Sequence, residues 1–203
     1  MIITVTSDKG GVGKTTTAVH LAGFLSGLAP TLLVDGDGIR SSTKWSQRGT
    51  GAGLPFKVVS HAQMVNHIRE HEHVVIDTAG NPNDEELKDL AENCDLLVLP
   101  AVPEAAANDG LIEIIGRLDK LQSERFRVLL AKVPPRPKTD GEKLRAELEK
   151  VGIPVFKAEI PLLTAFDRAY TGGVLVRDVK RDPYALFAWE AYEAAGREMI
   201  DGR

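Results

Sequence analysis

The chain has 203 residues, of which 43% are hydrophobic and 27% charged, a composition typical of one soluble globular domain. Its apolar runs are too short for a membrane span, its start lacks the features of a signal peptide, and its single cysteine excludes a disulfide framework or a cysteine metal cluster. A cytoplasmic protein is therefore expected. The net charge of −4 is uneven: residues 1–116 hold 8 basic against 15 acidic residues, and residues 117–203 hold 17 against 14, which permits a basic face in the C-terminal half.

Apolar, β-branched segments alternate with segments of helical spacing along the chain. The predicted strands are residues 2–7, 31–37, 56–60, 73–80, 95–102, 127–133 and 154–160. The predicted helices are residues 15–28, 42–48, 61–71, 83–94, 104–121, 139–151 and 182–202. Strands that are buried on both faces and alternate with helices indicate a mostly parallel, twisted sheet with helices on both faces. The pattern predicts one α/β domain over residues 1–203.

The segment SDKGGVGKTTTA (7–18) joins the first predicted strand to the first predicted helix. Its glycines let backbone N–H groups approach phosphate oxygens, and the helix start adds partial positive charge. Lys14 is expected to contact the β- and γ-phosphates of a nucleotide, Thr15 to ligate Mg²⁺ and Thr16 to reach the α-phosphate. A glycine turn that only joins strand to helix is the alternative.

Acidic residues follow two of the predicted strands. Asp77 ends the strand in VVIDTAG, where the carboxylate of a phosphate-loop protein holds Mg²⁺, generally through water; capping of the next helix is the alternative. Asp35 and Asp37 end the strand in LLVDGDG. Because ligands of open α/β sheets bind beyond the carboxyl ends of the strands, all three acids are expected near the phosphate loop.

Four segments carry recognisable motifs: KGGVGKTT (9–16), LLVDGDGIRSSTKWSQRG (32–49), VVIDTAG (74–80) and LVLPAVPEAAANDG (97–110). They resemble the motifs of the ParA/MinD class of deviant Walker ATPases, and look most like those of the short ParF-like plasmid partition proteins. The resemblance spans nearly the whole chain and is most specific in the first motif. It implies a phosphate-loop NTPase of the deviant Walker type. Since the chain begins at its first strand, the N-terminal helix-turn-helix extension of longer ParA proteins is not expected.

The resemblance accounts for an unusual feature of the loop. Asp8 stands where the usual pattern has its first glycine, and Lys9 follows it. Lys9 takes the place of the family's signature lysine, which reaches across a dimer interface to the phosphates of the partner's ATP. A solvated loop lysine is the alternative for Lys9. Asp8 would repel phosphates unless it faces away from them.

The resemblance also implies the remaining roles in the site. Lys9, Lys14 and Asp37 would be catalytic, with Asp37 positioning the attacking water, and Asp35 would support the Mg²⁺ shell formed with Thr15 and Asp77. The expected nucleotide-binding residues are Lys9, Gly10, Gly11, Val12, Gly13, Lys14, Thr15 and Thr16, with Pro134 and Pro161 as adenine contacts. No strong arginine finger is recognisable, so a weak ATPase with ATP and Mg²⁺ as cofactors is expected.

The function implied by the resemblance is DNA partition. An ATP-bound homodimer would bind duplex DNA nonspecifically on the nucleoid, and a ParB-like centromere-binding adaptor would stimulate hydrolysis. The expected DNA contacts are Arg168, Arg177, Lys180 and Arg181, with Lys143, Arg145 and Lys157 as weaker candidates.

Two other classes of function compete with partition. The first is a related ATPase that positions protein or membrane-bound cargo. A MinD-like membrane helix would need a basic polar face, whereas the acids of FAWEAYEAAGREMIDGR outnumber its two arginines, so a helix docked on the domain and no membrane binding are expected. The second is a metabolic phosphate-loop enzyme, but the chain lacks the cysteines of nitrogenase iron protein relatives, and no substrate site is recognisable.

Overall fold

A computed structural model describes residues 1–49, 53–135, 137 and 139–202, with only the backbone of residues 105–107. The strands in these ranges are β1 (Ile2–Val5), β2 (Thr31–Gly36), β3 (Lys57–Ser60), β4 (His73–Thr78), β5 (Leu96–Ala101), β6 (Phe126–Val133) and β7 (Val155–Pro161). The helices are α1 (Lys14–Ser26), α2 (Ser41–Arg48), α3 (Asp84–Glu92), α4 (Ala105–Lys120), α5 (Asp140–Lys150), α6 (Ala165–Gly172) and α7 (Ala185–Asp201). Within these ranges, no helix is both long and apolar enough to cross a bilayer.

The strands form one sheet in the order β3-β2-β4-β1-β5-β6-β7, and every neighbouring pair is parallel. The predicted α/β architecture is therefore confirmed. Parallel strands end at the same edge of a sheet, so the loops after β1, β2 and β4 are neighbours. The register places Asp77 beside Val5 on one side and beside Asp35 on the other. Asp35 and Asp77 thus lie side by side on β2 and β4, and β4 is next to the strand that leads into the phosphate loop.

Successive strand residues point to opposite sides of the sheet, so the strands present apolar side chains on both faces. Helices pack against these side chains on each face. Leu33 and Val98 belong to a core that includes α1, α6 and α7. Leu97 and Leu99 belong to a second core with α3, α4 and α5. Trp189 and other apolar residues of α7 lie in the first core, so the C-terminal helix docks on the domain as expected.

The prediction of an α-helix over residues 61–71 is wrong. His61–Asn66 and Ile68–Glu70 form short 3₁₀ turns instead. Of this segment, Met64 and Ile68 pack against the core. Two partly buried side chains stabilise a long α-helix too little to offset the cost of ordering its backbone.

Helix α6 was not predicted from the sequence. Its fully buried side chains are those of Ala165 and Ala169, which carry a weak hydrophobic signal. The helix forms because it packs against α2 and α7, and these contacts arise only in the folded chain.

α7 approaches α1 closely at Gly196, where an added β-carbon would overlap the ring of Phe24. We expect Gly196→Ala to lower the free energy of unfolding by about 1–3 kcal/mol, as overpacking of a core does. The matched control is Gly116→Ala in α4, where an added β-carbon meets no atom within 4 Å. That variant should gain up to about 1 kcal/mol from helix propensity. Urea unfolding measures both changes, and an equal change in the two variants would contradict the predicted overlap.

Candidate functional site

The phosphate loop ends in two glycines with left-handed backbone geometry. Gly11 has a φ of 80° and Gly13, the residue before α1, a φ of 97°. An L side chain would be strained at either position. No side chain caps this start of α1. Its first backbone N–H groups are thus suited to an external acceptor such as a phosphate oxygen.

Lys14 extends into a small polar cradle beside this loop. Its Nζ donates to Ser7 Oγ at 3.1 Å and to the carbonyl of Lys9 at 3.3 Å. A β-carbon on Gly80, in the loop after β4, would lie 3.0 Å from the same Nζ, so glycine keeps this space open. Burial lowers the pKa of Lys14, while the Asp77 and Asp37 carboxylates raise it. The cradle places one ammonium group close to the phosphate loop.

Asp77 is fully buried at the end of β4. Its Oδ2 accepts a 2.6 Å hydrogen bond from Ser42 Oγ, whereas Oδ1 has no hydrogen-bond partner of good geometry among the described residues. Burial raises the pKa of Asp77 to about 6, although hydrogen bonding from Ser42 and Thr15 lowers it. An unsatisfied carboxylate oxygen beside a threonine hydroxyl is the hard oxygen set that Mg²⁺ prefers. These residues therefore fit Mg²⁺.

Asp35 is fully buried and engaged with the start of α2. Its Oδ2 accepts from the backbone N and the Oγ1 of Thr43 at 2.8 and 2.6 Å, and its Oδ1 accepts from the backbone N of Asp37 at 3.2 Å. Asp35 thus caps α2 and thereby holds Ser42, the neighbour of Thr43, in reach of Asp77. Its part in the Mg²⁺ shell stays a prediction.

Asp37 is half-buried, and its Oδ1 accepts from the backbone N of Ile39 at 2.9 Å. Its charge raises the pKa of Lys14, though less than that of Asp77 does. Asp37 follows β2 at the same edge of the sheet as the phosphate loop. The role of Asp37 in positioning water stays a prediction.

Lys9 and Asp8 lie against helix α4. The carbonyl of Lys9 accepts from Ser7 Oγ at 2.7 Å and from Lys14. Its side chain passes Gly110 of α4, where an added β-carbon would lie 3.1 Å from Lys9 Cγ and 2.8 Å from Asp8 Oδ2. Asp8 is thus directed at α4, which answers how the loop accommodates an acid. The carbonyl of Lys9 supports Lys14, while its half-buried side chain lies against α4.

The prolines predicted to contact adenine lie at neighbouring strand ends. Val133 of β6 pairs with Pro161 of β7, and the carbonyl of Val133 accepts from the backbone N of Leu162 at 2.8 Å. Pro134 follows Val133 directly, so both prolines lie at the sheet edge that carries the phosphate loop. Their contact with adenine stays a prediction.

The residues predicted to bind DNA differ in their surroundings. Arg168 pairs with Asp182 at 2.8 Å, and the Arg177 guanidinium lies 4.4 Å from the centre of the Trp189 ring. Lys180 and Arg181 are exposed and form no ion pair with a described residue. Of the weaker candidates, Arg145 bonds to Glu159 and to the Phe156 carbonyl, while Lys143 and Lys157 are exposed.

Sequence reasoning missed residues that join the site to the rest of the fold. The missed residues are Ser7, Ser42, Gly80 and His20. His20 is fully buried in α1, where its Nδ1 donates to the Thr16 carbonyl at 2.7 Å and its Nε2 accepts from the backbone N of Val176 at 3.1 Å. Burial lowers the pKa of His20 to about 4, so the ring is neutral at physiological pH. A lone histidine in an apolar helix carries no signal of these partners.

Comparison with known proteins adds to this geometry. Residues 3–176 match the family described as the CobQ/CobB/MinD/ParA nucleotide binding domain. The chain is 35% identical over 179 residues to a maintenance of carboxysome distribution protein A from Gloeobacter kilaueensis, and the match covers 86% of this chain and 83% of that protein.

Two solved structures show the same fold. One is an ATP complex of a single-residue variant of McdA from Cyanothece, with a TM-score of 0.70 and 16% identity over 98% of this chain and 96% of that chain. The other is a plasmid partition protein from Borrelia burgdorferi, with a TM-score of 0.68 and 18% identity over 100% of this chain and 98% of that chain.

Proposed function

Because the chain belongs to the CobQ/CobB/MinD/ParA nucleotide-binding family and is a ParA/MinD-type ATPase, we propose that it distributes a cargo within the cell by an ATP-dependent cycle. The observation that carries this proposal is the identity of 35%, over 86% of the chain, with a protein that maintains carboxysome distribution. The likeness to a plasmid partition protein is 18% in identity and shows the fold alone. Cargo distribution is therefore preferred to DNA partition, which was the first expectation from the sequence.

In the proposed cycle, ATP binds at the phosphate loop. Lys14 and the backbone N–H groups from Gly10 to Thr16 hold the phosphates, and Pro134 and Pro161 border the adenine. Thr15 and Asp77 hold Mg²⁺, with Asp35 behind them, and the ion neutralises charge on the phosphates when bound. Asp37 orients the attacking water. Phosphoryl transfer depends mainly on positioning and charge neutralisation, so these groups suffice for a slow ATPase.

ATP binding is proposed to join two protomers face to face. Lys9 supports this step, because it stands at the position of the family's signature lysine and because its contact with Lys14 is made by its backbone carbonyl. The Lys9 side chain would contact the phosphates bound by the partner. The dimer would sandwich two nucleotides and would separate after hydrolysis.

The ATP-bound dimer is proposed to use nucleoid DNA as its track in the cytoplasm, without membrane binding. Lys180 and Arg181 support this part, because both are exposed and unpaired among the described residues. An adaptor protein on the cargo would stimulate hydrolysis and release the dimer from DNA. A ParB-like, centromere-bound adaptor is the form that DNA partition would require.

The test is binding of nonspecific duplex DNA with ATP and with ADP across a salt series. We expect binding only with ATP, and the Lys180→Ala/Arg181→Ala variant should reduce the slope of log affinity against log salt by about 2. The matched control is Lys143→Ala/Lys157→Ala, two exposed lysines that should matter less. If the protein dimerises with ATP but does not bind DNA at low salt, the proposed use of nucleoid DNA is wrong.

A further inference from the structure

Lys132 contacts the phosphate loop from the end of β6. Its Nζ donates a 2.6 Å hydrogen bond to the carbonyl of Gly11, 121 residues earlier in the chain. The side chain is otherwise exposed. A long, exposed lysine loses side-chain entropy when it is held in one place, so a contact of this kind calls for a physical reason.

The backbone at Lys132 is strained. Its φ is 53°, in the left-handed region that non-glycine residues avoid. The pairing of β6 with β7 shifts register between Leu130 and Val133, so the strand is irregular at this residue. Irregularities at strand ends re-aim side chains, and strained residues cluster at functional sites. Here the irregular strand end directs Lys132 at the phosphate loop.

The neighbouring residue brings β6 close under the same loop. Ala131 is buried, and a β-carbon added to Gly13 would lie 3.9 Å from the Ala131 side chain. The strand end and the loop are thus in contact at two successive residues of β6. Lys132 therefore belongs to the wall of the nucleotide site, although no motif marks it.

The hydrogen bond restricts one peptide group of the loop. In a trans peptide, the carbonyl of Gly11 and the N–H of Val12 point in opposite directions. An added β-carbon on Gly11 would meet no atom within 4 Å, so no neighbouring atom packs against that side of the residue. When Lys132 holds the carbonyl on its own side, the Val12 N–H is turned to the other side.

We propose that Lys132 is a positioning residue of the nucleotide site, which orients the Gly11–Val12 peptide so that the Val12 N–H is presented to the phosphates of a nucleoside di- or triphosphate. The inference rests on the proposed binding of ATP. The lysine acts through the loop, and its ammonium group adds positive charge beside it. Its left-handed backbone is maintained at a cost in stability that a glycine would not incur.

Calorimetric titration of ADP into the wild type, Lys132→Met, Lys132→Arg and Lys132→Gly tests this inference. Lys132→Met should weaken ADP binding about tenfold, the loss expected for one charged hydrogen bond. Lys132→Arg should retain most of the affinity. Lys132→Gly should weaken ADP binding while its thermal midpoint rises, because glycine relieves the backbone strain. The matched control is Lys157→Met, which changes an exposed lysine of β7 and should bind ADP as the wild type does.

A second readout is the Val12 amide resonance in ¹⁵N NMR. In the wild type, ADP should shift the Val12 amide resonance and protect this amide from hydrogen exchange with solvent. In Lys132→Met, the amide should still exchange when ADP is present. Unchanged ADP affinity in Lys132→Met and Lys132→Gly would overturn the inference while the proposed function stands. A Lys132→Gly variant that loses affinity and stability together would also overturn it, since that result indicates a structural role only. A wild type that binds no ADP would overturn the proposed function and this inference with it.

Discussion

Replacing Asp77 with asparagine should strongly reduce ATP turnover and, at about pH 7, stabilise the nucleotide-free protein. The carboxylate is buried with one oxygen lacking a good partner, and burial raises its pKa from 3.8 to about 6. A shift of this size sets an upper limit of about 3 kcal/mol on the destabilisation, at ~1.4 kcal/mol per pKa unit. We expect a gain of about 1–2 kcal/mol in the free energy of unfolding, because an amide needs less solvation than a carboxylate.

The sign of the pH dependence follows from linkage. Between about pH 4 and pH 6, folded Asp77 binds its proton more tightly than the unfolded chain does, so its contribution to wild-type stability falls as pH rises through this window. Asparagine has no such dependence. The gain in the free energy of unfolding of Asp77→Asn over the wild type should therefore be largest above about pH 6 and should decrease to near zero toward pH 4. Urea unfolding without nucleotide or Mg²⁺ measures this difference, with Asp89→Asn at an exposed position of α3 as the charge-matched control.

The same substitution removes the acid that fits Mg²⁺ next to Thr15. ATP turnover should fall by at least about 100-fold, since charge neutralisation at the phosphates is the largest single contribution to this chemistry. Phosphate release assays measure the loss. Ser42→Ala is the informative comparison, because it removes the 2.6 Å hydrogen bond and keeps the carboxylate. An Asp77→Asn variant with wild-type turnover would exclude Asp77 from the site.

Replacing Lys9 with alanine should separate nucleotide binding from dimerisation. The contact of Lys9 with Lys14 is made by its backbone carbonyl, which alanine retains, so ATP should still bind. The side chain proposed to reach the partner's phosphates is lost. We expect no ATP-dependent dimer and a fall in turnover of about 10³-fold, the effect of removing a charge supplied by a partner.

Sedimentation with a non-hydrolysable ATP analogue measures the dimer, and fluorescent nucleotide titration measures binding. Lys14→Ala is the control, since this variant should lose nucleotide binding, which Lys9→Ala should retain. If Lys9→Ala dimerises with the analogue as the wild type does, the sandwich model is wrong and Lys9 acts within its own protomer.

Most of the fold could be predicted from local patterns. Segments such as residues 31–35 and 97–102 are buried on both faces, so their apolar composition identifies strands of a parallel sheet. Residues 61–71 were wrongly predicted as an α-helix, and α6 was not predicted. Their conformation depends on a few contacts with other elements, and spacing along the chain does not contain that information.

The sequence by itself determined the phosphate loop, because a strand, three glycines, Lys14 and a helix start are consecutive, and their geometry follows from local backbone chemistry. It also indicated that Asp35 and Asp77 follow strands. Only the tertiary structure decided that Asp35 caps α2, that Ser42 binds Asp77 and that Lys132 holds Gly11. These contacts join residues between 8 and 121 positions apart. The strand order brings them together, because parallel strands carry their carboxyl ends to one edge whatever their separation along the chain.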